Sequence, residues 1–366
     1  MAPMFRADHV GSLLRPQELK NAFRDISRGV ITQDQFAEIM DRSIRDAIHM
    51  QADAGLKSIT DGEFRRGSWF YGFVQAVDGL TVKDSLFDFR DSSGGHATFQ
   101  TAYVEAKLRR TRGITTDEFS FVKANTGLTP KVTMPTPSLV HFFRLDQAVD
   151  HAVYPDMEEF WTDLIAVYRQ EMAALAALGC RSVQLDEVPI AMMCDPNIRA
   201  QVRKAGIDPA ALLDTYIGAI NAIARNRPAG MTIALHLCKG NYKGHWMAEG
   251  SYEAVSEKLF NEAEVDTFFL EYESERAGGF EPLRHVPKSK NVILGLVSSK
   301  TPRLEELDAL QRRVEEAARF IPLDQAGVSP QCGFASSVGG NPLSIDDERR
   351  KLQRVTELAR AVWGTQ

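Results

Sequence analysis

Eight short apolar or β-branched runs recur along the chain, separated by stretches long enough for helices, and this rhythm limits the fold more than any other feature. In order they are "FRADHVGS" (5–12), "KSITDGEF" (57–64), "KVTMPTP" (131–137), "SVQLDEVP" (182–189), "TIALHLC" (232–238), "TFFLEYE" (267–273), "NVILGLVS" (291–298) and "AGVSPQCG" (326–333). Strands alternating with helices imply parallel β-α units, and eight units imply a closed (β/α)8 TIM barrel; an open doubly wound sheet is the competing arrangement. The intervening helices carry their own punctuation. One opens at Pro155, repeats apolar residues from Phe160 to Leu178 and stops at Gly179. Another spans about 303–320, and the last follows Ser344, with Asp347 three residues on as in a capping box. The stretch from about 68 to 130 breaks the rhythm: "GSWFYGFVQAVDGL", "DSSGGH" and the alternating "TAYVEAKLRR" predict a loop and hairpin inserted after the second strand, over the barrel mouth. With no linker or internal repeat, residues 1–366 form one elaborated domain.

Charge narrows the partners. The 43 Lys and Arg against 49 Asp and Glu give a net charge of −6 and no basic stripe, which argues against nucleic acid and anionic membranes and favours small molecules. The N-terminal "MAPMFRADHVGSLLRP" lacks the apolar core of a signal peptide, and no apolar run reaches the roughly 18–20 residues of a membrane span. A cytoplasmic location is expected, where Cys180, Cys194, Cys238 and Cys332 stay reduced and a cysteine in a special setting points to metal binding or catalysis. A homo-oligomer is compatible with the chain.

In such a barrel the chemistry collects where strands end, at the C-terminal rim. The polar residues here fall at those ends: Asp8, His9 and Ser12; Asp61 and Glu63; Asp186 and Glu187; His236 and Cys238; Glu271 and Glu273; Cys332. Zinc best matches a His/Cys/Cys set. Two positions apart on one strand, His236 and Cys238 point the same way. Cys332 joins them from the last strand, and Glu271 is the candidate fourth ligand, with Glu273 on the same face. Cys180 and Cys194 read as small buried residues. Trp69, Phe70, Tyr71 and Phe73 are either core of the insertion or a wall over a ligand.

The ordered set "DHVGSLLRP", "ITDGEFRRG", "VQLDEVP", "LHLCKGNYKGHW", "VDTFFLEYESERAG" and "VSPQCGFAS" resembles the cobalamin-independent methionine synthase family over essentially the whole chain, in particular its short single-barrel branch. The resemblance implies that His236, Cys238, Glu271 and Cys332 hold Zn2+, and that Ser12, Glu63 and Asp186 grip an amino acid substrate, homocysteine. It implies transfer of a methyl group to the zinc-bound thiol to give methionine. His9 and Trp69 complete the candidate substrate-binding set. The donor is methyltetrahydrofolate or a methylcorrinoid. Where the long enzymes carry a histidine able to protonate a departing folate nitrogen, this chain reads "GLVSSKTP" (295–302), so a folate donor needs an acid from elsewhere, His9 or His245. The rival functions are alkylation of another thiol or by an epoxide, and a non-catalytic zinc- or thiol-binding protein.

Overall fold

A computed structural model describes residues 5–90 and 96–365; most of the predicted "DSSGGH" loop lies outside them. The fold is α/β and is organised on a parallel sheet. Six strands lie in the order Ala326–Pro330, Asn291–Val297, Thr267–Glu271, Thr232–Leu237, Ser182–Glu187 and Val132–Pro135, each pair parallel. One residue before the last of these, Thr129–Pro130 pairs in parallel with Ser58–Ile59. At the opposite end Ala7 forms a parallel bridge to Val328.

The first two predicted strands are much shorter than their apolar runs suggest, for a local reason. Gly11, Gly62 and Glu63 have φ of 141°, 71° and 59°, outside the range of a strand. Side chains replace the ladder there: Thr60 Oγ1 donates to the Gly11 carbonyl at 2.7 Å, His9 Nε2 meets the Ser58 carbonyl at 3.1 Å, and Gln51 holds both the N–H and the carbonyl of Thr60 at 2.9 Å.

Helix Met157–Ala177 starts two residues later than its proline implies, because the Asp156 side chain accepts from the Glu158 N–H and takes the N-cap itself. It buries Phe160, Leu164, Val167, Met172 and Leu175, and Gly179 ends it with a φ of 93°. Helix Leu307–Ala317 is shorter than the expected 303–320, and Ile345–Trp363 opens with the Ser344–Asp347 capping box. The irregular segment contains an antiparallel hairpin, Val77–Asp84 with Gln100–Arg110, and also two helices not anticipated, Tyr71–Ala76 and Thr116–Asn125. Their apolar residues, Phe73 and Val74 in one and Phe119 and Val122 in the other, are few but buried, so tertiary packing sustains them where periodicity is weak. Among the described residues no helix is long and apolar enough to cross a membrane.

One buried acid gives a test of this packing. Glu348 accepts the Leu14 N–H at 2.9 Å through Oε1, Oε2 has no partner, and burial pushes the carboxyl from 4.5 up to about 8. Between those values the unfolded chain gives up a proton that the folded protein keeps, so this group's contribution is fullest below 4.5 and is lost as pH rises toward 8. Glu348→Gln keeps the acceptor without the charge. Its Tm advantage over the parent is expected to be near zero at pH 5 and to grow by about 3 °C at pH 8. The same difference at both pH values would show that Glu348 is already ionised at neutrality.

Candidate active site

The ends of five chain segments converge on one cavity of about 410 Å3, lined among others by Ser12, Glu63, Trp69, Asp186, His236, Cys238 and Cys332. Val82 and Gln100 of the hairpin strands, with Phe89 and Phe99 from the chain between them, line the same wall. Ring contacts join the aromatic side: Phe89 lies 5.1 Å from Phe99 and 5.3 Å from Tyr242, Phe99 lies 5.1 Å from Phe143, and Trp69 meets Phe70 edge-on at 5.7 Å. The Trp69 backbone is held by its main-chain N–H, which donates to the Ser336 carbonyl at 3.0 Å.

His236 occupies the strand Thr232–Leu237, and Cys238 follows its last residue, with its N–H on the Glu187 carbonyl at 2.9 Å. Their side chains and Cys332 present one nitrogen and two sulfurs, all within 4.8 Å of one another and all buried. The two sulfurs are 3.4 Å apart and both thiols are free. The hydrogen bond between them holds Cys332 well below the ordinary thiol value, with His236 and Lys300 reinforcing it, and drives Cys238 well above. Burial opposes a charge on His236, but Cys332, Asp186 and Glu271 outweigh it and raise the imidazole. Neither ring nitrogen of His236 has a hydrogen-bond partner, an unusual expense for a buried imidazole. A tetrahedral zinc with bonds to sulfur of about 2.3 Å places two thiolates about 3.8 Å apart, so the spacing, the orphaned nitrogens and the soft donor set fit that ion. Cys180 and Cys194 are buried elsewhere, with burial pushing both thiols up to about 11.

Glu271 is fully buried but is not drawn into the His/Cys/Cys cluster. Its Oε1 accepts the Lys239 N–H at 2.8 Å and its Oε2 faces Arg276 at 3.1 Å. Glu273 is bound to the same guanidinium at 2.7 Å. Both carboxylates are therefore engaged by a cation beside the cluster.

Across the cavity, Ser12 Oγ accepts the Ala335 N–H at 3.3 Å. A Cβ at position 333 would stand 1.9 Å from that oxygen, so only glycine lets Cys332 and Ser12 sit so close. Glu63 is buried in a left-handed turn, one oxygen held by Thr133 and the other without a partner. Gln184 donates to Asp186 Oδ1 at 2.7 Å. Burial raises both acids, Asp186 to about 7. Three sequence candidates fall elsewhere. His9 does not line the cavity: its Nε2 faces the Ser58 carbonyl, and burial followed by the nearby Lys131 lowers it to about 3, so it supplies no proton near neutrality. Glu187 is structural, bonded to the Ser138 hydroxyl at 2.5 Å and the Ile190 N–H at 2.7 Å. His245 forms a bridge with Tyr242, which lines the cavity, but is not itself among the lining residues. Sequence reasoning passed over Thr133, Asn241, Tyr242 and Lys300. The first lies inside a strand, and the others stand in motifs whose cysteine or missing histidine dominated the reading.

Residues 5–342 match the family described as cobalamin-independent synthase, catalytic domain. The chain belongs to this family. Within the cobalamin-independent synthase family it is 36% identical to the uncharacterized protein YxjH of Bacillus subtilis, over 98% of this chain and 95% of that one. It is 22% identical to the methionine synthase of Pyrococcus furiosus, over 99% of this chain and 93% of that one. The crystal structure of the putative vitamin-B12 independent methionine synthase from Listeria monocytogenes superimposes with a TM-score of 0.78 and 31% identity, covering 100% of this chain and 99% of the other.

Proposed function

We propose that this member of the methionine synthase-like methyltransferases is a zinc-dependent thiol methyltransferase that converts homocysteine to methionine, on a closed (β/α)8 barrel with the 68–130 segment over its mouth. The barrel reading rests on the Ala7–Val328 bridge at one end of the sheet and the Ser58–Ile59 pairing at the other, with the Thr60 hydroxyl on the Gly11 carbonyl and the His9 ring on the Ser58 carbonyl spanning the gap. The functional reading is carried by one observation: a buried His236, Cys238 and Cys332 cluster opens onto a cavity that also holds Ser12, Glu63 and Asp186.

His236, Cys238 and Cys332 would hold the zinc, and Glu271 would complete the set by leaving Arg276 and the Lys239 N–H. Bound there, zinc would supply the Lewis acidity that lets a substrate thiol give its proton to solvent near neutral pH. The chain's own groups do the rest. Glu63 and Asp186 take the ammonium of the amino acid, Ser12 takes its carboxylate, and the sulfur is thereby directed at the cluster. A thiol without an amine, or a coenzyme lacking one, leaves two buried carboxylates uncompensated, which favours an amino acid acceptor over the epoxide variant. The aromatic wall of Trp69, Phe89, Phe99 and Tyr242 receives the methyl carrier, methyltetrahydrofolate or a methylcorrinoid.

The test is direct. Purified protein is expected to contain one zinc per chain, and to form methionine from homocysteine with either methyltetrahydrofolate or methylcobalamin. Full turnover in zinc-free protein, or alkylation of other thiols but not homocysteine, overturns the reading.

A further inference from the structure

The carboxylate of Glu63 does not stand alone; a chain of three side chains reaches it from the inserted segment. Arg66, three residues on, donates from Nε to Glu118 Oε1 at 3.0 Å and from its second amino group to Glu118 Oε2 at 2.6 Å. The remaining amino group donates to the Thr133 hydroxyl at 3.0 Å, and that hydroxyl lies 2.7 Å from Glu63 Oε1. Arg66 itself is 3.7 Å from Glu63 Oε1, beyond a hydrogen bond. The direction of the relay is fixed by the donor inventory. A guanidinium only donates, so Thr133 accepts from it, and its single hydroxyl proton is left for Glu63. Glu63 Oε1 is therefore an acceptor, which favours the ionised carboxylate, while Oε2 remains buried and without a partner in the cavity wall.

The surroundings are built for this contact. A Cβ at Gly11 would lie 2.6 Å from Thr133 Cγ2 and 3.2 Å from Glu63 Oε1, so glycine there lets the Ser12 segment close over the pair. Arg66 also donates to the Thr133 carbonyl at 2.7 Å, which locks guanidinium and strand together. Burial works against charge on Arg66, but Glu118 and Glu63 outweigh it and hold the guanidinium more firmly protonated than usual. Asp61 lies near enough to act on Glu63 and bonds the Glu63 N–H at 2.8 Å, so it shapes the turn without touching the relay.

We infer that Thr133, Arg66 and Glu118 are positioning residues that aim the free oxygen of Glu63 at the acceptor's ammonium, making the inserted helix Thr116–Asn125 part of substrate selection. The inference rests on the amino acid reading of the cavity. Thr133 orients Glu63 directly; Arg66 orients Thr133; Glu118 anchors Arg66. Loss of any member relaxes the demand for an amine and leaves the zinc cluster as it was.

The experiment compares equilibrium binding and steady-state kinetics of homocysteine with those of 4-mercaptobutanoate, the same thiol without its amine, in zinc-loaded protein. Thr133→Val removes the hydroxyl at nearly constant shape. It is expected to raise the Kd and KM of homocysteine about tenfold, to change kcat less than about threefold, and to leave 4-mercaptobutanoate within about twofold. Thr133→Ser should restore parental selectivity. Glu118→Gln, which touches neither Glu63 nor Thr133, should shift selectivity the same way by about threefold, and serves if the valine variant misfolds. Equal losses for both thiols, or unchanged selectivity in both variants, overturn the proposal. Parental protein that binds homocysteine selectively but makes no methionine would sink the methyltransferase reading alone, and parental protein that binds neither thiol would sink both.

Discussion

Replacing Cys332 by alanine is expected to abolish stoichiometric zinc and to reduce methyl transfer at least about a thousandfold, while leaving the fold intact. The reason lies in how few other groups would hold the metal. The hydrogen bond with Cys238, whose sulfur stands 3.4 Å away, holds the Cys332 thiol well below its ordinary value, so the substitution removes the more readily ionised of the two sulfur donors. Cys238 then loses its sulfur partner, and His236 loses the neighbour that favoured its charge. Metal catalysis of thiol alkylation draws on the ion for thiolate formation, a step worth several kcal/mol near neutral pH. The chain should tolerate the change because Cys332 follows the strand Ala326–Pro330, and a smaller side chain there adds space at the cavity without opening the core. Metal analysis, circular dichroism and turnover of the same preparation check it. Zinc at one per chain with full activity in this variant would remove the cluster from the mechanism.

The second large effect is expected at Glu63. Glu63→Gln preserves shape and the Thr133 hydrogen bond but removes the charge meant for an ammonium. Homocysteine should bind about a hundredfold more weakly, as expected for a charged hydrogen bond lost from a buried site. The des-amino thiol should bind no worse, and even more tightly, since one uncompensated carboxylate has gone. Binding of both ligands by calorimetry at one pH separates these outcomes. A parallel fall for the two thiols would assign Glu63 to the architecture of its turn, where its φ of 59° already sets it apart.

Much of this site was legible because period-two geometry and strand ends speak through residue type. His236 and Cys238 advertised themselves as polar residues closing an apolar run, and Cys332 repeated the pattern. The six-stranded part of the sheet followed from its apolar runs, with boundaries within a few residues. The first two strands were overread because glycines and a left-handed glutamate break the ladder, and side chains from Thr60 and Gln51 make the bonds instead. His9 was misplaced for a related reason: the chain there is held by side-chain bonds, and the imidazole turns to Ser58 and away from the cavity. The helices Tyr71–Ala76 and Thr116–Asn125 carried too little periodicity to be seen, and Thr133 too little chemistry. Its role exists only because Arg66 and Glu63 arrive from 67 and 70 residues away.

Cys238 and Cys332 are 94 residues apart, and two further strands, Thr267–Glu271 and Asn291–Val297, lie between theirs in the sheet. No fragment that stops short of the last strand can present both sulfurs, so during synthesis the chain offers no competent chelate until nearly all of it has emerged. Acquisition of the ion would then report that the sheet is complete, and a truncated or misassembled copy would leave the cell's scarce free metal untouched.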